Sequence, residues 1–268
     1  MSKDYIFISN CISEYGAACL DGLIRAGLPP TSVIGLKRTG SKQGILKIIS
    51  RFTVGEIVNG VFVTALLNSP FADSGIVKKV FDRYSIRMLT DKYSIAYHEV
   101  SSLNSLSSRE HLTQRSEELV LVCSLSQILK EKTLILKQFV NIHPGALPDN
   151  KGATPIEWSV LYGDGNLSAT VHEMTPGVDE GDIYLAASES IKRVSSWKGV
   201  RNVAKKLMIR SACEFITLWR QGKVAAKPQE RGGVYNTRFN ALDKYKVRIK
   251  IVYDSLNRRF FEVFSPEN

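Results

Sequence analysis

The first 36 residues carry a strand, a helix and a second strand in close succession, which leaves few architectures open. Residues 4–9 are a short apolar run, Asp4-Tyr5-Ile6-Phe7-Ile8-Ser9. Ser13 then stands ready to cap a helix over 13–26, with Gly27 just past its end. Residues 31–36 follow as the next strand. Two strands joined by a helix over so short a distance form a βαβ unit, which predicts a parallel sheet. Further strands are expected at 61–66, 119–123, 139–142 and 168–173, and helices at 75–84, 107–115 and 154–162. The fold class is α/β, an open and mostly parallel sheet with helices on both faces.

The pattern changes after residue 195. Residues 197–220 read as one amphipathic helix, with Val200, Val203, Leu207, Phe215 and Leu218 as its apolar stripe. Pro228 and Gly232-Gly233 end it. Over 244–251, Lys244, Lys246, Arg248 and Lys250 alternate with Tyr245, Val247, Ile249 and Ile251, the period of a strand. This predicts a short antiparallel β appendage over 235–264, whose lysines protect an exposed edge. The expected organisation is a main domain over 1–195 and a basic C-terminal helix and β appendage over 196–268.

Charge sharpens that division. The net charge of +10 is unevenly placed: residues 1–191 hold 18 basic and 20 acidic side chains, and residues 192–268 hold 18 and 6. The basic tail could meet phosphates or simply keep a β edge soluble. Lys37, Arg38, Lys42, Lys47 and Arg51, with no acidic residue among them, mark a solvated loop or a phosphate-facing one. The 44% hydrophobic content excludes a mostly disordered chain. The apolar stretch 52–67 is interrupted by Glu56, Asn59 and Gly60, too short and too polar to span a bilayer, and the N-terminus lacks a secretory signal's basic start. No membrane and a cytoplasmic location are expected. Cys11, Cys19, Cys123 and Cys213 show no Cys-x-x-Cys spacing and read as reduced, buried thiols without disulfide or zinc.

No Gly-x-Gly-x-x-Gly follows the first strand and no P-loop is present, so dinucleotide and P-loop readings are weak; Gly163-Asp164-Gly165 reads as a turn. The informative stretch is Asn141-Ile142-His143-Pro144-Gly145-Ala146-Leu147-Pro148. Residues i and i+2 of a strand share a side, so Asn141 and His143 project together from a carboxyl end, where open parallel sheets bind ligands. Pro144 holds His143 extended, and Gly145 allows another molecule to approach closely. If the loop Gly177-Val178-Asp179-Glu180-Gly181-Asp182 folds over the same edge, Asp179 can orient His143. An amide donor, an imidazole and a carboxylate suit acyl transfer to an amine.

These residues resemble the 10-formyltetrahydrofolate-dependent formyltransferases. Asn141, His143, Leu147-Pro148, Gly152, Pro155, Asp179 and Gly181 stand in the family's order and at similar spacing. The resemblance implies a Rossmann-like catalytic domain and the catalytic trio Asn141, His143 and Asp179. A neutral amine would attack the formyl carbon, Asn141 and a protonated His143 would stabilise the oxyanion, and Asp179 would hold His143 and a water. It also implies 10-formyltetrahydrofolate as donor and no metal. The folate would be held by Leu125, Ser126, Gln127, Ile128 and Leu129, with Gly177 and Val178 closing over it. Asn10, Lys151 and Trp158 would face the acceptor.

Residues 152–158 and Gly163-Asp164 resemble the methionyl-tRNA and aminosugar branches, with Trp158 closer to the sugar branch. Only 46 residues follow Gly222, too few for the C-terminal barrel of methionyl-tRNA formyltransferases, and the first strand starts too early for the regulatory domain of the deformylases. The expected acceptor is the amine of a nucleotide-linked aminosugar, and the expected assembly a homodimer through the C-terminal region. Alternatives are an RNA-directed enzyme, for which nucleic acid is a partner, an amino-acid amine (hydroxyornithine) formyltransferase, and a catalytically inactive folate- or nucleotide-binding module.

Overall fold

The computed structural model describes residues 3–37, 84–230 and 232–264. The strand expected at 61–66, the helix expected at 75–84 apart from Tyr84, and the basic loop beyond Lys37 lie outside the described residues. The strands are β1 Tyr5–Asn10, β2 Ser32–Leu36, β3 Ala96–Val100, β4 Leu119–Cys123, β5 Gln138–His143, β6 Asn150–Gly152, β7 Asn166–Glu173, β8 Ile183–Ser190 and β9 Val234–Asn236. The helices are α1 Glu14–Arg25, α2 Ile86–Lys92, α3 Leu106–Thr113, α4 Glu131–Leu134, α5 Pro155–Tyr162, α6 Trp197–Arg220 and α7 Ala241–Phe264.

Among the described residues, seven strands form one sheet in the order β3-β2-β1-β4-β5-β7-β8. The first five are parallel, and β7 and β8 continue it antiparallel. The chain builds outward from β1 through β2 to β3, then returns to the other side of β1 for β4 and β5. The order reverses between β1 and β4, and the crevice at the carboxyl ends is where such sheets bind ligands.

Period-two alternation divides the sheet's apolar side chains between two cores. Tyr5, Phe7, Leu119, Leu121, Val140 and Ile142 pack on the side of α1 and α6. Ile6, Ile8, Val120, Val122 and Phe139 pack on the other, with Leu103, Leu112 and Leu129. Ser13 caps α1 as expected, its side chain accepting from the Gly16 N–H, and Gly27 takes φ +73 just past the helix.

The helix α6 has the expected bounds. Its buried stripe is Val200, Ala204, Leu207, Met208, Ser211, Ala212, Phe215, Ile216 and Trp219, so Val203 and Leu218 sit on its flanks. It packs on α1, β5, β7 and β8.

The C-terminal element differs from the sequence reading. The stretch 244–251 is not a strand of an antiparallel appendage; it belongs to the helix α7. Lys244 to Ile251 satisfy two periods at once, and tertiary contact selects the helical one. Val247 and Ile251, four residues apart, are buried, whereas Ile249 between them is 67% exposed. The neglected signal is a capping pair: the Asp243 N–H donates to Asn240 Oδ1 at 2.9 Å, and the Asn240 N–H reaches Asp243 Oδ2 at 3.4 Å. The strands β3 and β8 carry no apolar run in the sequence because they lie at the sheet's edges, where Ala96, His98 and much of β8 face solvent.

Candidate active site

Phe139, Asn141 and His143 alternate along one side of β5, and His143 ends the strand. Across the antiparallel pair, Asn141 faces His172 and His143 faces Thr170. Directly opposed residues share a face, so Thr170 and His172 join the two residues of the motif. The Thr170 hydroxyl donates to the Gly145 carbonyl at 2.7 Å and accepts from the Leu147 N–H at 3.4 Å, pinning the loop after β5.

Gly145 does permit a close approach, and the chain itself makes it. A Cβ there would lie 2.7 Å from His143 Nε2 and 2.9 Å from the Asn150 carbonyl oxygen. That carbonyl accepts a hydrogen bond from His143 Nε2 at 2.8 Å; a carbonyl can only accept, so Nε2 carries a proton. His143 is 4% exposed, and its Nδ1 lies 3.5 Å from Asp179 Oδ2.

Asp179 lies on the loop between β7 and β8 at φ +55, a left-handed conformation in which Asp is one of the tolerated residues. Its Oδ2 also accepts from the Gly152 N–H at 2.8 Å, and its Oδ1 lies 3.5 Å from His172 Nε2. The carboxylate therefore sits between two imidazoles and a backbone donor.

His172 was absent from the sequence reading. The one hint in the sequence is its place in the expected strand 168–173, just before the turn that leads into the loop carrying Asp179. It is 1% exposed, and burial lowers its pKa to about 4 even though Asp179 opposes the shift. The neutral ring donates from Nδ1 to the Glu173 carbonyl at 2.8 Å, which leaves Nε2 as an acceptor facing Asn141 Nδ2 at 3.2 Å. That contact identifies the nitrogen of the Asn141 amide and leaves its second N–H for another acceptor.

The remaining predicted positions are more dispersed. Cys123 pairs with Ile142, so residues 124–129 leave β4 beside the carboxyl end of β5. Ser126 donates from N–H and hydroxyl to Asn10 Oδ1, at 3.2 and 2.9 Å, closing the crevice between β1 and β4. Gln127 is occupied with the Leu103 N–H and the Ser102 hydroxyl, Leu129 is core, and Leu125 and Ile128 remain nearer the surface. Asn10 is therefore two strands away from Asn141.

Lys151 is 8% exposed and lies 3.7 Å from Glu180. Both, with Val178, Gln229, Glu230 and Tyr235, line an open cavity of about 670 Å³ beside Asp179. Gly177 accepts from the Thr175 hydroxyl at the start of the same loop. Trp158 does not line this cavity. Its indole donates to the Thr237 carbonyl at 3.0 Å and its ring lies against Tyr162 and Phe239, so it anchors the C-terminal segment to α5.

The formyl transferase family model matches residues 68–208, more than half of the 268-residue chain. A methionyl-tRNA formyltransferase of Thermotoga sp. (strain RQ2) is 26% identical over 176 residues, covering 65% of this chain and 56% of that protein. The chain spans about half the length of the curated relatives it matches. The fold is shared with glycinamide ribonucleotide transformylase 1 from Symbiobacterium toebii, at TM-score 0.56 and 18% identity, covering 86% of this chain and 95% of that one. It is also shared with an N-formyltransferase from Helicobacter canadensis crystallised with folinic acid and dTDP-3-aminofucose, at TM-score 0.56 and 15% identity, covering 89% and 71%. With a family match that takes in β5, β7 and the loop carrying Asp179, the chain belongs to the formyl transferase family.

Proposed function

We propose that this protein moves the formyl group of 10-formyltetrahydrofolate to a primary amine, through Asn141, His143 and Asp179. The observation that carries the reading is their convergence, with Asn141 oriented by His172 and Asp179 placed 3.5 Å from His143. The donor supplies the activated formyl carbon. As the amine adds, the free N–H of Asn141 meets the charge growing on the formyl oxygen, the task of an oxyanion donor. Asp179 accepts the proton the amine must lose, directly or through a water, with His143 held beside it; the adduct then collapses by breaking the bond between the formyl carbon and N10, and N10 takes that proton as tetrahydrofolate leaves. The folate is assigned to residues 124–129 because they leave β4 next to the carboxyl end of β5, where open parallel sheets bind ligands.

The preferred acceptor is a nucleotide-linked aminosugar. The Helicobacter canadensis neighbour, crystallised with such a compound, supports it, and the cavity beside Asp179 has room for one. A second reading, charged tRNA, is favoured by the methionyl-tRNA formyltransferases among the relatives and by the basic residues after 191. Part of that charge is already engaged within the chain: Arg201 and Lys205 pair with Glu14, Lys246 with Asp243 and Lys250 with Asp254. The deciding assay follows tetrahydrofolate release by absorbance against UDP- and dTDP-aminosugars, amino-acid amines and charged tRNA. Turnover with an aminosugar nucleotide is expected. Turnover with tRNA alone, falling steeply with added salt, would replace the acceptor, and no amine-dependent release would end the formyl-transfer reading.

The homodimer is supported by α7, with its site shifted from β strands to a helix. Leu242, Tyr245, Ile249, Val252 and Leu256 recur at alternating spacings of three and four and are each at least 36% exposed, the seam of a coiled coil. Sedimentation should give a dimer that Ile249→Lys with Val252→Lys converts to a monomer; a wild-type monomer at assay concentrations would sink this arrangement.

A further inference from the structure

The strand β6 grips both partners of the His143–Asp179 pair. The Asn150 carbonyl receives His143 Nε2–H at 2.8 Å, and the Gly152 N–H donates to Asp179 Oδ2 at 2.8 Å. Three residues thus set the spacing of imidazole and carboxylate. What steadies β6 is β9, which pairs with it in parallel and arrives from beyond residue 208, where the family match ends.

Asn236 ends β9 and is 5% exposed. Its Nδ2 donates to Asn150 Oδ1 at 2.7 Å, and its carbonyl accepts from the Ala153 N–H at 2.9 Å. The other end of the Asn150 amide donates to the Pro155 carbonyl and the Ser159 hydroxyl, at 2.8 and 3.1 Å. Asn150 is thereby held at both ends of its side chain while its carbonyl holds His143. Glycines let the two segments touch: a Cβ at Gly152 would press on the Asn236 carbonyl, and one at Gly233 on that of Pro148.

We propose that Asn236 is a positioning residue, acting through Asn150 to fix the His143 ring relative to Asp179. Replacing it by alanine strands Asn150 Oδ1 without its buried donor and frees β6 to shift. A misplacement of about 1 Å at reacting groups can cost about 100-fold in rate. The kinetic consequence rests on the formyl-transfer reading; the geometric one does not.

The test joins kinetics to 15N NMR of the imidazoles, with the His143 signals assigned by their loss in His143→Gln. In Asn236→Ala, kcat should fall about 10- to 100-fold while KM for the formyl donor stays within about twofold. The His143 Nε2–H resonance should move and exchange faster with solvent, and the kinetic effect should vanish in a His143→Ala background. An unchanged His143 spectrum, or an equal further loss in that background, would overturn the proposal. Asn236→Ser, whose hydroxyl is too short to reach Asn150, is read the same way if alanine unfolds the chain. Loss of the fold in both variants would make Asn236 merely structural and likewise overturn it. Should the wild type transfer no formyl group to any amine, the function fails, and the spectrum still decides whether Asn236 holds His143.

Discussion

Asp179→Asn is expected to lower kcat for formyl transfer by about 100-fold or more, the range in which positioned proton acceptors contribute. The substitution keeps the shape of the side chain and one oxygen for the Gly152 N–H, so the loop can hold its place. It removes the charge between His143 and His172 and the group able to take a proton from the attacking amine. His143→Ala should cost a comparable factor, since the ring is the neighbour that confines the carboxylate. The measurement is steady-state turnover, with circular dichroism to confirm the fold. Near-normal rates in either variant would remove the His143–Asp179 pair from the chemistry, and the reading of this site with it.

The second large effect concerns stability below neutral pH. The pKa of His172 is about 4 in the folded protein, against an ordinary value of 6.5, because charging the ring would place it in a buried, poorly solvated site. Between those values the unfolded chain binds the proton and the folded chain resists it. The contribution is therefore intact above pH 6.5, is lost progressively as the pH falls towards 4, and changes no further below that. Across that window the penalty grows by about 1.4 kcal/mol for each pH unit of fall. In urea titrations across this range, His172→Gln should flatten the decline by about that amount relative to wild type. Parallel curves for the two proteins would mean that His172 accepts its proton without cost, and that the neutral acceptor facing Asn141 is a wrong description.

The two effects meet in one feature of the site. Two imidazoles flank one carboxylate, and their hydrogen bonds assign them different tasks. His172 is anchored by the Glu173 carbonyl and serves as acceptor for Asn141, whereas His143 donates to Asn150 and turns its other nitrogen to Asp179. The surroundings of each ring, more than its residue type, set its role.

Much of this was legible in the linear chain. The βαβ start, the buried strand Leu119–Cys123 and the bounds of Trp197–Arg220 follow from local periodicity, because a buried strand or an amphipathic helix writes its own repeat into consecutive residues. Asn141 and His143 were readable as a same-side pair because i and i+2 share a face on any strand. Asp179 required the family pattern, since only that pattern links a loop over thirty residues away to the motif.

Other features had no local signature. His172 became part of the site through the antiparallel register that sets it opposite Asn141, and register is a relation between two strands. The hydrogen bond from the Trp158 indole to the Thr237 carbonyl joins residues 79 apart, a partner that no local pattern announces. The stretch 244–251 fits a strand and a helix equally well by itself, and packing against α5 with Val247 and Ile251 buried chose the helix. The sequence by itself determined the parallel sheet and the residue types at its carboxyl edge, through short-range periodicity and steric rules. Only the tertiary structure decided which imidazole faces which partner, and that β9 steadies the strand between His143 and Asp179, because those outcomes depend on segments brought together across the whole chain.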